Sequence, residues 1–79
     1  MMSKTVLIVC DNYRVAEQYF KRLGKGHRWR LVQGPSALTP YSTTTAEYHV
    51  VDGAQKLAKY LDIQQKAHEL GFQVRGDTR

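Results

Sequence analysis

The stretch that decides the fold is TVLIVC at residues 5–10. The four aliphatic side chains at positions 6–9 show no alternation of polar and apolar residues, so both faces of this segment must be buried. Strands of that kind belong to parallel sheets that helices cover on both sides. Residues 5–10 therefore predict a strand of an α/β domain that is buried on both faces.

An amphipathic helix is expected directly after this strand. Apolar side chains recur at positions 15, 16, 19, 20 and 23, which is the spacing of one helical face. Asp11 and Asn12 are good N-cap residues, because a short side-chain oxygen accepts from the free N–H groups of the first turn. Gly24 favours the left-handed conformation that ends helices. The pattern predicts a helix over Tyr13–Leu23.

Two further strands are predicted after the helix. Residues 27–33 form a strand with Trp29 facing inward, which completes a strand–helix–strand unit. Residues 47–51, with a start as early as Thr43, form the third strand. The segment between them, residues 34–45, predicts a loop, and so long a loop in a compact chain is often functional. Its lack of an evident helix leaves the direction of the third strand open.

The C-terminal part is helical by propensity over residues 54–70, with a change of apolar face at Asp62. Residues 62–65 have the form of a capping box, so we predict a break there and two short helices. A short last strand over residues 72–75 and a frayed tail over residues 76–79 are expected to complete the chain. The apolar stripes before and after the break are Ala54, Leu57, Ala58 and Leu61, and then Ile63, Ala67 and Leu70.

The predicted element order is β-α-β-β-α-β, a small single-domain α/β fold over residues 1–79. The sheet is expected to be mainly parallel or mixed, with three or four strands and two or three helices, and a Rossmann-like arrangement fits best. A chain of this length buries only about 60–65% of the surface that its unfolded form exposes, so its core is small. A deep catalytic cleft is therefore not expected.

The composition indicates a folded, basic protein. The hydrophobic fraction is 42%, the formal net charge is +5 and the pI is about 9.6. Such a charge attracts nucleic acid, acidic membrane surfaces or acidic protein patches. The sequence has no apolar run of about 18 residues that would span a membrane, and its start does not resemble a signal peptide. With the single cysteine Cys10, these features predict a reducing compartment, the cytoplasm.

The strongest local charge signal is a basic cluster over residues 21–30. Its cations suit phosphates or carboxylates, and an exposed Trp29 could stack on a nucleobase. In a strand, however, Arg28 and Arg30 point one way and Trp29 the other, so a buried Trp29 beneath a solvated basic face is the simpler interpretation. Nucleic acid and an acidic protein surface stay open as functional alternatives. The cluster consists of Lys21, Arg22, Lys25, His27, Arg28 and Arg30.

The loop over residues 34–45 contains a second binding candidate, Tyr41. Its neighbours Pro40 and Ser42 suggest an exposed aromatic anchor, the kind of residue that carries binding energy in interfaces. The hydroxyl-rich composition of the loop has an equally simple explanation, because Ser and Thr side chains satisfy backbone turns.

Polar residues at the carboxyl ends of the predicted strands form a third candidate site. In a parallel sheet these ends share one edge, where α/β proteins bind ligands. Asp11 and Asp52 could hold Mg²⁺ through oxygen ligands, and Asn12 with Arg14 could bind an anion at the helix N-terminus. The simpler interpretation is that the aspartates are cap and turn residues. No phosphate-binding loop motif is present, and no cofactor is expected.

The remaining reactive side chains have structural interpretations. Cys10 ends an apolar run and is expected to be an ordinary buried thiol. The three histidines lack metal-ligand spacing, so no metal site is expected. His49 alternates with Tyr48 and Val50 and should face the opposite side of the sheet from both.

Several segments resemble short, uncharacterised proteins of tailed bacteriophages, over roughly residues 5–53. These segments are residues 6–9 (VLIV), the helix with Tyr19 and Leu23, residues 28–30 (RWR) leading to Val32 and Gly34-Pro35, and residues 50–53 (VVDG). The resemblance implies a fold and no catalytic residue. It also implies a role in binding host machinery, such as RNA polymerase, a nuclease complex or a defence system.

The sequence therefore favours a non-catalytic protein that binds and modulates a host protein complex with an acidic surface, in the cytoplasm of a bacterial host cell. The first alternative is a nucleic-acid-binding protein that uses residues 21–30 to bind DNA or RNA. The second is a small nucleotide-binding or Mg²⁺-binding enzyme at the strand ends. No membrane partner is expected, and a monomer and a homodimer paired through an edge strand are both compatible with the sequence.

Overall fold

Within the described residues, the sheet has three strands, and both outer strands run parallel to the central one. The order is β2-β1-β3, where β1 is Thr5–Val9, β2 is Trp29–Val32 and β3 is Ala46–Val50. The direction of the third strand, which the sequence leaves open, is thus parallel. The computed structural model describes residues 4–24, 28–51 and 53–73.

Strand β1 lies between the other two strands and is buried on both faces, and the burial is as the sequence predicts. Val6 and Ile8 pack in one apolar cluster, and Leu7 and Val9 pack in another on the opposite face. The strand ends at Val9, one residue before the predicted end, and Cys10 is fully buried just beyond it. The outer strands agree with their predicted segments but are shorter or shifted by one or two residues.

Helix α1 spans Tyr13–Leu23, as predicted, and covers the face of the sheet that carries Val6 and Ile8. The Asn12 side chain caps it by accepting from the backbone N–H groups of Arg14 and Val15, at 2.9 and 3.3 Å. Gly24 ends it with φ of 65°, a conformation that a side chain would strain. The predicted helix is confirmed. The prediction succeeds because residues next to the helix specify both of its ends.

The predicted loop at residues 34–45 is more structured than its sequence indicates. A 3₁₀ helix spans Pro35–Leu38, and its Leu38 side chain is fully buried on the face of β1 opposite α1. Strand β3 runs parallel to β2 on the far side of β1, so the chain must cross over the sheet between them, and this segment makes that crossover. Through the buried Leu38 side chain, the crossover segment packs into the hydrophobic core.

The predicted break within residues 54–70 exists, but its position at Asp62 is wrong. A 3₁₀ helix at Ala54–Lys56 ends at Leu57, which is extended, and helix α2 then spans Tyr60–Glu69. Asp62 lies within the first turn of α2, so it does not cap a helix. The 3₁₀ turn has a different period from an α-helix, and it buries Ala54 while leaving Leu61 78% exposed.

Helix α2 covers the second face of the sheet through Ile63 and Ala67, both buried, as the second predicted stripe indicates. Gly71 follows with φ of 86°. Phe72 then packs its ring 5.9 Å from that of Tyr48. Phe72 and Gln73 are not in a strand, and the rest of the predicted last strand and the tail lie outside the described residues.

A hydrogen-bonded chain of side chains links β3 to α2. The Tyr48 hydroxyl donates to Gln64 Oε1 at 2.6 Å, and Gln64 Nε2 donates to the Tyr60 hydroxyl at 3.1 Å. Burial first, and the proximity of Tyr60 second, raise the pKa of Tyr48 above its ordinary value. Tyr48 therefore stays a protonated donor under neutral and mildly alkaline conditions.

We expect the raised pKa of Tyr48 to make folding less stable at high pH. Above pH of about 10 the unfolded chain releases the Tyr48 proton while the folded chain keeps it. The stability contribution of this group is therefore complete below that pH and is lost as the pH rises towards the pKa of folded Tyr48. Urea unfolding between pH 8 and 11 measures the loss, which is expected to shrink in Tyr48→Phe and to persist in Tyr13→Phe. Equal loss in both variants would assign it to other groups.

Candidate binding surface around the second strand

Four of the cations that the sequence singles out, Lys21, Arg22, Arg28 and Arg30, are exposed. Lys21 and Arg22 lie in the last turn of α1, where they also favour the helix dipole. Arg28, just before β2, and Arg30, within β2, are both exposed. Within residues 4–24, 28–51 and 53–73, none of the four has a carboxylate within salt-bridge distance. Lys25 and His27 lie outside the described residues.

The fold divides this basic cluster between two faces of the sheet. Arg30 is in register with Leu7, so its side chain leaves β2 on the face that α2 covers. Lys21 and Arg22 belong to α1, on the other face. One continuous run of charge in the sequence therefore becomes two groups of cations on either side of β2. The reason is the alternation of side chains along a strand.

Trp29 lies between these two groups and faces α1, as the sequence predicts. It is in register with Val6, and its ring centroid is 5.1 Å from that of Tyr13 and 6.0 Å from that of Phe20. Trp29 is half-buried, and Tyr13 at the start of α1 is 57% exposed. Tyr13 is a surface aromatic that the sequence analysis does not single out. The seven-residue interval between Tyr13 and Phe20 is the signal that could have identified it.

The outer side of β2, which we call the β2 edge, pairs with no strand in the described part of the chain. The Val6 N–H donates to the Arg28 carbonyl at 3.1 Å. In a parallel ladder the main-chain groups of alternate residues point to the same neighbour. The N–H and C=O groups of Trp29 and Leu31 therefore point away from β1, toward the β2 edge.

The expectation that Tyr41 is an exposed anchor is wrong. Its side chain is half-buried and packs against the apolar cluster on the α2 face. The Tyr41 N–H donates to the Leu38 carbonyl at 3.0 Å, which continues the turn after the 3₁₀ helix. Because that helix folds the segment onto the core, Tyr41 has a structural contact, and its role in binding stays a prediction.

The carboxyl ends of β1 and β3 lie at the same edge of the sheet, as predicted. Of the polar residues there, Asn12 makes hydrogen bonds within its own segment of the chain. A Cβ atom at Gly53 would lie 3.2 Å from Asp11 Oδ1, so the two loops are in close approach. Asn12 satisfies N–H groups of α1 that an anion would otherwise use. Arg14 is exposed, and Asp52 lies outside the described residues. Among the residues that the structure describes, no three potential metal-binding side chains form a group that could hold a metal ion.

A buried polar network links α1 to β3. The sequence predicts the direction of His49 in this network but not its contact with Tyr19. His49 is 3% exposed and faces away from Tyr48, as predicted. The Tyr19 hydroxyl lies 2.7 Å from His49 Nδ1, and His49 Nε2 lies 3.1 Å from Glu47 Oε1. Glu47 and His49 share a strand face because they are two residues apart. Their contact with Tyr19 joins residues thirty positions apart, so only the fold reveals it.

Neither the comparison with protein-family models nor the searches of curated proteins and solved structures gave a match. A membrane-crossing helix, which must be long and apolar, is not found among the described residues. The surface around β2 is therefore interpreted from its own geometry and charge.

Proposed function

We propose that this protein is a small non-catalytic binding protein that docks on the acidic surface of a protein complex. The observation that carries the proposal is a set of exposed cations on both sides of the β2 edge, which in the described part of the chain have no ionic partners and no strand paired beside them. Groups of this kind steer association with an acidic partner and add specificity. The net charge of +5 acts in the same direction.

The proposed setting is the cytoplasm of a bacterial host cell, with a phage-encoded protein acting on host RNA polymerase or a defence nuclease complex. The resemblance of residues 5–53 to short phage proteins is what suggests this setting. We also propose that the strand order β2-β1-β3 is part of a Rossmann-like arrangement. The parallel strands support that assignment, and so does the strand order, because β2 is added on one side of β1 and β3 on the other.

The non-catalytic part of the proposal is supported by how the reactive side chains are used. Cys10 is buried behind the sheet end, Asn12 caps α1, and His49 is enclosed between Tyr19 and Glu47. Each of these groups makes a contact that explains its presence by stability. Among the described residues, Lys21, Arg22, Arg28 and Arg30 have no side-chain hydrogen bond or ion pair, so binding is the better explanation for these cations.

The test is capture from a bacterial lysate followed by measurement of affinity for the captured complex. The protein is expected to retain a discrete protein complex after nuclease treatment. The double variant Arg28→Glu/Arg30→Glu is expected to weaken that affinity by about tenfold or more, because acidic groups would then meet like charge. Both positions are exposed, so folding should be kept, and circular dichroism checks it.

The control is Lys56→Glu, an exposed cation at the end of the 3₁₀ helix that follows β3. It makes the same change of net charge as Arg30→Glu at a residue outside β2 and α1, and it should leave the affinity within about twofold, as expected when only local charges matter. If Lys56→Glu weakened binding as much as Arg30→Glu alone, the attraction would come from net charge and the proposed surface would be wrong.

Nucleic acid is a second candidate partner, which the exposed ring of Tyr13 beside Trp29 favours. Aromatic rings beside cations form stacking platforms for single-stranded nucleic acid. The same capture experiment separates the two functions. Nucleic-acid binding predicts material that nuclease removes and an affinity that falls steeply with salt, and it predicts loss of binding in Tyr13→Ala.

A further inference from the structure

The side chains of Arg28 and of β2 alternate between basic and apolar residues. Any strand that paired with β2 would contact basic side chains on one face and apolar side chains on the other. On one face, Arg28 and Arg30 are exposed cations. On the other face, Trp29 and Leu31 are half-buried apolar side chains that pack toward α1. A strand added at the β2 edge would place its own alternate side chains beside these two sets.

The main chain at the β2 edge is suited to such pairing. The N–H and C=O groups of Trp29 and Leu31 point outward, because those of Arg28 and Arg30 belong to the ladder with β1. An extended peptide that joins a sheet edge gains affinity from main-chain hydrogen bonds and specificity from alternate side chains. The β2 edge offers both requirements within four residues.

The charge of the β2 edge decides which strand it can accept. A second copy of this chain would bring arginines of one copy close to arginines of the other, and like charges on paired strands are destabilising. The same arginines protect the edge from self-association, as charged residues often do on edge strands. An acidic strand removes the repulsion and gives each arginine a carboxylate partner.

We propose that the β2 edge binds an extended acidic segment of the partner protein as an added strand. Acidic side chains at alternate positions of that segment pair with Arg28 and Arg30, and the apolar side chains between them contact Trp29 and Leu31. This inference rests on the proposed function, since it specifies how the acidic partner is recognised. It predicts that the order of residues in the partner segment matters, and not its composition alone.

The experiment uses synthetic peptides and the fluorescence of Trp29, which is the only tryptophan in the chain. A nine-residue peptide of alternating Glu and Val is expected to bind and to shift the Trp29 emission. A peptide of the same composition, with its glutamates grouped together, is expected to bind about tenfold more weakly, because it cannot place carboxylates on one face and apolar groups on the other. Arg30→Glu should abolish the difference, and Lys56→Glu should keep it.

Backbone pairing is tested with two N-methylated versions of the alternating peptide, one methylated at its Val residues and the other at its Glu residues. Only one edge of an added strand meets β2, so one version is expected to lose binding and the other to keep it. Loss with methylated Val indicates antiparallel pairing, and loss with methylated Glu indicates parallel pairing. Equal binding of the two versions, or equal binding of the grouped and alternating peptides, would overturn strand addition.

The outcomes separate this inference from the proposed function. If all acidic peptides bind alike and Arg30→Glu weakens all of them, an acidic partner is supported and the added strand is rejected. If no acidic peptide binds, the added strand is again rejected, and capture of a protein complex by the intact surface still decides the proposed function by itself.

Discussion

Leu7→Ala is expected to lower the free energy of unfolding by about 3 kcal/mol, within the range for a buried leucine. Leu7 is fully buried on β1, and both neighbouring strands lie beside it, with Arg30 and Tyr48 as its register partners. Side chains fixed in a parallel ladder cannot collapse readily into the space that the truncation leaves. A domain of this length has a total stability of roughly 4–12 kcal/mol, so the loss is a large part of it. Urea denaturation followed by circular dichroism measures it.

The matched control is Leu61→Ala, which removes the same atoms from a side chain that is 78% exposed. We expect a change within about 0.5 kcal/mol, as for other surface substitutions. The pair also tests the corrected position of the helix break. A cost at Leu61 close to that at Leu7 would mean that Leu61 faces the core, as its sequence stripe predicts.

Tyr19→Phe is expected to lower the free energy of unfolding by about 2 kcal/mol, the penalty for leaving a buried polar group unpaired. The change removes the hydroxyl that lies 2.7 Å from Nδ1 of His49 and keeps the ring. His49 is 3% exposed, so water cannot readily replace that hydroxyl. The bond of His49 Nε2 to Glu47 favours the tautomer with a proton on Nε2, which leaves Nδ1 as an acceptor that needs a donor.

Tyr13→Phe provides the control for this variant, because the same atom is removed from a ring that is 57% exposed. Its hydroxyl can be replaced by water, and we expect a change within about 0.5 kcal/mol. Thermal and urea unfolding of the two variants at one pH give the comparison. Equal stabilities would show that the Tyr19 hydroxyl contributes nothing to the buried network, and the link between α1 and β3 would then rest on apolar packing alone.

The elements that could be predicted are those whose signals are local. Helix α1 is specified by Asn12 at one end and Gly24 at the other, with apolar spacing between them. Strand β1 is specified by its unbroken aliphatic run. The sequence misplaces the break before α2 because a 3₁₀ turn at Ala54–Lys56 shifts the helical phase. It predicts only a loop over residues 34–45 because the burial of Leu38 depends on the strand that the crossover must reach.

The candidate site was predictable in composition but not in arrangement. The charge of Lys21, Arg22, Arg28 and Arg30, and the inward direction of Trp29, follow from residue type and strand alternation. The division of the cations between two sheet faces requires knowledge of which face helix α1 covers. The partial burial of Tyr41 requires the 3₁₀ helix before it, so the sequence overestimated its exposure.

The sequence by itself determined the class of fold, the first strand with its two buried faces, the first helix and the basic character of the surface. It could do so because burial on two faces, helix capping and charge are properties of neighbouring residues. The tertiary structure decided the parallel direction of β3, the outer position of β2 and the pairing of Tyr19 with His49. Those features depend on contacts between residues far apart in the chain, and such contacts form only when the strands and helices pack together.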